Sequence, residues 1–193
     1  MRRALLLAVV GSVLLVAFAG VALAAAITCT GGPCFGTSEA DVITGSDQAD
    51  QISARGGNDV VHAAAGNDVL YGDRGDDDLF GEADDDTYFG ENGSDNLTED
   101  ADNPSNDEMY GGKNNDDLNA GGGSDPLVSG GPGNDTVVGG PGDDLLRGGD
   151  GDDFIDARDG TSDRKVSGGA GTDTCLFDPG LDQNVRECEI QNP

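Results

Sequence analysis

Apolar side chains return along this chain every nine residues. Two positions before each of them stands an aspartate, and glycine is frequent in the intervening stretches. Because side chains alternate between the two faces of a strand, each apolar residue points one way and its two neighbours the other. The pattern therefore predicts three-residue strands separated by six-residue turns. In the first block the aspartates are Asp41, Asp50, Asp59, Asp68, Asp77, Asp86 and Asp95, followed by Ile43, Ile52, Val61, Leu70, Leu79, Tyr88 and Leu97.

The period continues after residue 98 with small interruptions. Residues 99–101 are interpreted as an insertion, after which Asp107, Asp116 and Asp125 precede Met109, Leu118 and Leu127. Ser129 is interpreted as a one-residue insertion. The cleanest copies follow, with aspartates Asp135, Asp144 and Asp153 and inward residues Val137, Leu146 and Ile155.

The end of the chain departs further from the pattern. Residues 157–167 are interpreted as one unit enlarged by two residues, in which Arg164 and Lys165 are expected to be solvated loop residues. The last clear unit, 168–176, contains Asp173 and places Cys175 inward. Atypical terminal units are expected, because they must cover the last layer of the core.

A strand of three residues is not stable alone, but many such strands stacked in parallel form continuous ladders around a narrow core. The predicted fold is all-β: a parallel β-roll, or β-solenoid, of stacked nonapeptide repeats with disulfide-closed ends. We divide the chain into an N-terminal segment at 1–26, a cap loop at 27–35, a first repeat block at 36–98, a second block at 99–156, enlarged and final repeats at 157–176, and a C-terminal cap at 177–193.

The charge of the chain is strongly negative. Acidic residues outnumber basic ones by 38 to 10, and there is no Trp. Such a chain repels itself unless cations are present. Nucleic acid and anionic membrane surfaces are therefore unfavourable partners, and a divalent metal ion is the expected one.

The N-terminus has the features of an export signal. Arg2 and Arg3 precede an apolar run that ends in small residues, which predicts cleavage after Ala24 or Ala26. The alternative is an uncleaved membrane anchor, since about 24 apolar residues can also span a bilayer. We predict secretion, with no membrane insertion of the mature chain and cell-surface attachment as the alternative.

Four cysteines bracket the repeats. Cys29 and Cys34 precede them, and Cys175 and Cys188 surround their end. Their positions suggest the pairs Cys29–Cys34 and Cys175–Cys188, although the sequence alone allows three pairings. A zinc site is disfavoured because neither pair has C-x-x-C spacing and His62 is the only histidine.

The turns have the chemistry of a calcium site. Ca²⁺ takes six to eight oxygen ligands, which aspartates and the carbonyls of glycine-rich turns can supply, whereas Mg²⁺ retains its waters. Units whose turn keeps both glycines are expected to bind best. The predicted metal ligands are Asp59, Asp68, Asp77, Asp86, Asp95, Asp107, Asp116, Asp125, Asp135, Asp144, Asp153 and Asp173.

The repeated G-x-x-G-x-D-x-U-x unit resembles the haemolysin-type calcium-binding repeat of the repeats-in-toxin (RTX) family over residues 36–176. The resemblance implies that two nonapeptides form one turn of a β-roll, with Ca²⁺ held between turns. It further implies that successive aspartates alternate between two edges: one uses Asp41, Asp59, Asp77 and Asp95, and the other uses Asp50, Asp68 and Asp86.

Some units depart from the consensus. Glu39 and Gln48 replace a glycine, so a left-handed backbone there would be strained, and these first two units are interpreted as a cap with poor metal sites. Asp84 and Asn114 replace the same glycine in later units.

The function expected is that of an exported calcium-binding module that folds on binding Ca²⁺ outside the cell. No catalytic motif is recognised, so we predict that the protein is not an enzyme. The alternatives are a surface adhesin or envelope component, and an orphan β-roll derived from a secreted enzyme or toxin. Aromatic residues at the ninth position suggest either a strip for a carbohydrate or protein partner or packing between neighbouring strands: Tyr71, Phe80, Phe89 and Tyr110.

Overall fold

A computed structural model describes residues 25–100, 103–182 and 184–192. The predicted signal or anchor therefore lies outside the described residues, apart from Ala25 and Ala26. The described residues form strands and turns without a helix, so none of their elements is an apolar helix of membrane-spanning length. The prediction of an all-β fold is confirmed.

Nineteen strands in the described residues form two parallel sheets. The first sheet contains β1 (Ala25–Thr28), β3 (Asp41–Thr44), β5 (Val60–His62), β7 (Asp78–Phe80), β9 (Asn96–Thr98), β11 (Asp117–Asn119), β13 (Thr136–Val138), β15 (Phe154–Asp156), β17 (Thr174–Leu176) and β19 (Ile190–Asn192). The second contains β2 (Gly32–Phe35), β4 (Asp50–Ser53), β6 (Val69–Arg74), β8 (Thr87–Asn92), β10 (Glu108–Lys113), β12 (Leu127–Pro132), β14 (Leu145–Asp150), β16 (Lys165–Ala170) and β18 (Val185–Arg186).

Each strand pairs with the strand two positions along the chain. In the first sheet Ile43 lies opposite Val61, and Val61 lies opposite Leu79. Two nonapeptides therefore make one turn, and the chain winds as a β-solenoid of about nine turns.

In the core, each repeat contributes one inward side chain, and these side chains stack in a row along each sheet. The residue two positions after the repeat aspartate points inward, as the alternation predicts, and is fully shielded from solvent. These residues are Ile43, Ile52, Val61, Leu70, Leu79, Tyr88, Leu97, Met109, Leu118, Val137, Leu146, Ile155 and Cys175.

One inward residue was predicted wrongly. Val128, not Leu127, lies opposite Met109 and is buried, while Leu127 is only partly buried. The extra residue of this unit therefore lies between Asp125 and the strand, and not at Ser129. Pro126 stands there, and it has no N–H to donate to a ladder, so this is where a bulge fits. Because Leu127 and Val128 are both apolar, the sequence pattern fits either register equally well.

The two ends of the solenoid are more regular than predicted. The segment 27–35 was expected to be a loop, but β1 and β2 begin both sheets there. Likewise the non-repeating tail contributes β18 and β19. Backbone hydrogen bonds to an existing strand edge need no repeat motif, so a sequence without the consensus can still extend the sheets.

Both predicted disulfides are confirmed. Cys29 is bonded to Cys34 and Cys175 to Cys188, with Cα–Cα distances of 5.7 and 5.9 Å, and these fit disulfide geometry. The second bond ties the last core layer to the tail.

The ninth-position aromatics pack against one another, as the second alternative expected. Phe89 stacks between Tyr71 and Tyr110 with centroids 5.0 Å away on each side. Phe80 stacks on His62, whose Nδ1 lies 2.9 Å from Glu82. A carbohydrate or protein partner for this strip stays a hypothesis.

The expected strain at Glu39 and Gln48 is absent. Neither has a positive φ, because their turns close differently: the N–H groups of Thr37 and Ser46 donate to the carboxylates of Asp41 and Asp50. Asp84 and Asn114, which replace the same glycine in later units, do have a positive φ. Most other non-glycine residues with a positive φ stand at the second position of the unit: Arg55, Ala64, Asp73, Glu82 and Glu91.

Close stacking of successive turns should make Gly151→Ala destabilising by more than about 1 kcal/mol. Gly151 has φ +141°, and a Cβ there would overlap the carbonyl oxygen of Gly133 in the preceding turn. Gly56→Ala is the matched control, since its nearest neighbour would be the Arg74 carbonyl oxygen at 3.7 Å. Urea unfolding in calcium should show a loss for the first variant only; equal stabilities would contradict the close stacking.

Candidate calcium-binding edges

The repeat aspartates form two hydrogen-bonded ladders, one along each edge of the solenoid. The backbone N–H of each aspartate donates to a carboxylate oxygen of the residue one turn further on, at 2.6–3.0 Å. We call the first ladder edge one: Asp41, Asp59, Asp77, Asp95, Asp116, Asp135, Asp153, Asp173 and Glu189. Edge two is Asp50, Asp68, Asp86, Asp107, Asp125, Asp144, Asp163 and Asp182.

The two edges thus bring together all twelve aspartates that the sequence predicts as ligands. Their side chains are at most 3% exposed. Among the described residues, eleven of these carboxylates keep Oδ2 buried without a hydrogen-bond partner. The exception is Asp107, whose Oδ2 accepts a hydrogen bond from Ser105 at 2.7 Å. A buried oxygen without a donor is costly, so these atoms are suited to receive a cation.

Backbone carbonyls lie beside these oxygens. At Gly72, the position a Cβ would occupy is 2.6 Å from Asp77 Oδ2 and 2.8 Å from the carbonyl oxygen of Gly90, one turn further on. At Gly111 the corresponding distances to Asp116 Oδ2 and the Gly130 carbonyl are 2.6 and 2.7 Å. Glycine at the first position of the unit thus leaves room for a mixed set of carboxylate and carbonyl oxygens, which fits the ligands that Ca²⁺ takes.

Burial raises the pKa of the twelve carboxyls predicted as ligands. The pKa of Asp86 and of Asp125 rises from 3.8 to about 8, that of Asp77 and Asp116 to about 7, and that of Asp59 to about 6. The hydrogen bond from the preceding aspartate lowers each pKa, and repulsion between neighbouring carboxylates adds to the rise. Two charges at the strand spacing of about 4.8 Å repel by about 3 kcal/mol near a protein surface. The edges need either protons or cations.

The first turn satisfies its carboxylate without a cation. Asp41 Oδ2 accepts from the Thr37 N–H at 2.6 Å, and Oδ1 accepts from Ala25 N–H and the Thr37 hydroxyl. Asp50 Oδ2 likewise accepts from the N–H and hydroxyl of Ser46, whereas Asp50 Oδ1 is buried without a hydrogen-bond partner among the described residues. Both are buried in the ladders but differ from the body of the roll, in line with their interpretation as cap residues.

Apart from the cap residues Asp41 and Asp50, three ladder members were not predicted as ligands. Asp163 lies in the enlarged unit 157–167, while Asp182 and Glu189 lie in the tail, where no repeat marks them. Only their stacking on the preceding turn identifies them.

The expectation that Arg164 and Lys165 are solvated loop residues holds for the exposed Arg164, although its guanidinium is bonded to backbone carbonyls, and was wrong for Lys165. Lys165 begins β16, and the Arg164 guanidinium donates to the carbonyl oxygens of Asp143 at 2.6 Å and Asp125 at 3.2 Å. The backbone N–H groups of both residues point at the Asp144 carbonyl, which identifies a bulge. A fixed cation therefore lies on edge two beside Asp144, where its charge lowers the pKa of that carboxyl against the larger rise caused by burial.

Comparison with known protein families matches the chain four times to the RTX calcium-binding nonapeptide repeat, at residues 35–70, 62–97, 102–125 and 129–162. A search of curated proteins gives no match. The matched segments cover more than half of the chain and contain the ladder residues as far as Asp153. The protein belongs to the family of RTX calcium-binding nonapeptide repeats.

Proposed function

We propose that the protein is an exported structural module whose roll is completed by Ca²⁺ along both edges, and that it is not an enzyme. The observation that carries this proposal is the row of eleven buried Oδ2 atoms without donors in the described residues. A calcium ion bound to them would neutralise the repulsion along each edge. Binding free energy then becomes folding free energy, because the ligands are brought together only in the folded chain.

The ligands favour Ca²⁺ over Mg²⁺. Stacked turns offer many carboxylate and carbonyl oxygens, which suits an ion with six to eight ligands, whereas Mg²⁺ requires an octahedron and keeps several waters. We expect affinities of about 0.1–1 mM, in the range of extracellular modules. The ion would then be bound outside a cell and not in a cytosol poor in calcium.

Export is supported by two features of the chain. Both disulfides are of the kind that persists in oxidising compartments. The N-terminal segment has the pattern of a signal peptide, and β1 favours one of its two cleavage positions. Cleavage after Ala24 leaves β1 whole and places the new amino group at Asp41, to which Ala25 N donates at 3.1 Å. Cleavage after Ala26 would remove half of the strand.

The proposal that the protein is not an enzyme rests on how its carboxylates are used. The regularly placed aspartates are buried, and each receives a backbone N–H in a ladder. Carboxylates held in this way support the fold and are not free to serve as an acid and base pair at an open cleft.

Expression of the full sequence in a secreting host tests the proposal. We expect a protein in the medium that begins at Ala25, has four oxidised cysteines by mass spectrometry, and resists protease in calcium but is digested after chelation. A protein that keeps its first 24 residues would favour the surface-anchored alternative. Equal digestion with and without calcium would contradict the calcium-dependent module.

A further inference from the structure

One turn in the middle of the roll has a different interior from the rest. The residue that opens each turn is Gly or Ala in most units, but Glu99 occupies this place before Asp107. Its backbone N–H donates to the Asn119 carbonyl at 2.9 Å, just as that of Ala120 donates to Val138. The Glu99 side chain is 2% exposed and points into the core. Residue 99 is therefore part of the repeat and not an insertion.

Three carboxylates and a phenol meet inside this turn. Ligand oxygens of Asp86, Glu99 and Asp107 all lie within 4.8 Å of one another. Tyr88, a core residue, donates its hydroxyl hydrogen to Glu99 Oε1 and accepts the Gly81 N–H at 2.8 Å. A side chain on Gly81 would overlap oxygens of Asp86, Tyr88 and Glu99, so glycine is required there.

Two oxygens of the cluster lack a hydrogen-bond donor. Glu99 Oε2 and Asp86 Oδ2 are buried and have no hydrogen-bond partner among the described residues. Asp107 uses its oxygens for the Asp86 N–H and the Ser105 hydroxyl, both at 2.7 Å. The ion pairs found in the described part of the chain are His62–Glu82, Arg158–Asp156 and Arg164–Asp143, and all are elsewhere. Three acidic groups therefore converge in the core without a counter-charge.

We propose that Asp86, Glu99, Asp107 and the Tyr88 hydroxyl form a separate, carboxylate-rich site for a hard cation in the middle of edge two. Along each edge the repeat pattern supplies one carboxylate per turn, whereas Glu99 adds to Asp86 and Asp107 a third carboxylate that the pattern does not contain. Because affinity for Ca²⁺ rises with the number of charged ligands and with rigidity, this site should fill before the repeat sites. This site shares Asp86 and Asp107 with edge two, and only in this respect does the inference rest on the proposed function.

Terbium luminescence tests the site. Tb³⁺ replaces Ca²⁺ at oxygen sites, and its emission is sensitised by a tyrosine close to the ion. The chain has three tyrosines and no Trp, and Tyr71 and Tyr110 stack outside the core. We expect tyrosine-sensitised emission at low Tb³⁺ from the processed full-length protein, and its loss in Tyr88→Phe.

The decisive variants are Glu99→Ala and Glu99→Gln, with Glu91→Gln as an exposed control. Alanine is the natural opening residue at Ala120 and Ala157, so Glu99→Ala should fold. Each Glu99 variant should weaken Tb³⁺ binding by at least about tenfold, the lower end of what even loss of an outer-sphere partner costs a metal site. The control should match the wild type.

The outcomes separate this site from the proposed function. Emission unchanged by Glu99→Ala would overturn the site, even if β structure still depends on calcium. Wild-type emission no stronger than that of the Glu99 variants would also overturn it. Glu99 would then serve only as the hydrogen-bond acceptor of the Tyr88 hydroxyl and not as a metal ligand. Emission that depends on Glu99 in a protein whose β structure ignores calcium would support the site and overturn the proposed function.

Discussion

In calcium-free buffer, lowering the pH from about 8 to about 5 should increase the β structure of the protein. Burial raises the pKa of Asp86 and Asp125 from 3.8 to about 8, and that of Asp77 and Asp116 to about 7. Between 3.8 and these values the folded chain holds protons that the unfolded chain has lost. Stability is therefore gained as the pH falls through this window and lost as it rises, by about 1.4 kcal/mol per pH unit for each such proton.

Calcium should reverse this dependence. Protons compete with Ca²⁺ for the same oxygens, so acid weakens metal binding. Circular dichroism against pH, with and without calcium, measures both trends. A calcium-free signal that stays flat or grows as the pH rises would contradict the raised pKa values and the view that protons and cations are alternative ways to neutralise the edges.

Replacing Asp144 should weaken calcium binding far more than replacing Asp41. Asp144 Oδ2 is buried without a partner, and its unit keeps both glycines of the turn. Asp41 has protein donors on both of its oxygens. We expect Asp144→Ala to lower calcium affinity by about tenfold or more at the affected sites. The calcium affinity of Asp41→Ala should stay within about twofold of the wild type.

A third variant separates charge from hydrogen bonding. Asp144 Oδ1 also accepts the Asp125 N–H at 2.8 Å, and Asp144→Asn retains an acceptor while removing the charge. It should bind calcium as weakly as Asp144→Ala yet fold better. Calorimetric titration gives the affinities. Equal losses of calcium affinity at Asp144 and Asp41 would contradict the view that a buried oxygen without a donor binds calcium better than one with protein donors.

Periodicity was sufficient to predict the architecture. A nine-residue spacing of Ile, Val and Leu after Asp predicts strand length, face and parallel stacking, so the core column followed from the sequence. The two edges were implied by the resemblance to the RTX repeat. The register failed at Leu127, where two adjacent apolar residues satisfy the same pattern and only the missing N–H of Pro126 decides between them.

The parts of the site that escaped prediction depend on contacts across turns. Glu99 resembled an insertion because the consensus has glycine in its place, and Asp182 and Glu189 carry no repeat around them. Their positions become defined only when a preceding turn donates its N–H groups. The protein donors that satisfy Asp41 could not be predicted either, since Thr37 in a turn has no sequence signature that distinguishes it from a solvated residue.

Far-ultraviolet circular dichroism of the oxidised mature chain during a calcium titration at pH 8 distinguishes a roll that folds on binding Ca²⁺ from one that is stable without it. At this pH the edge carboxyls with a pKa of about 6 or 7 are ionised. We expect little β signal in calcium-free buffer, a cooperative rise at about 0.1–1 mM Ca²⁺, no comparable rise with Mg²⁺, and full reversal by EDTA. A β signal that is complete without calcium at pH 8 and indifferent to EDTA would contradict folding on Ca²⁺ binding.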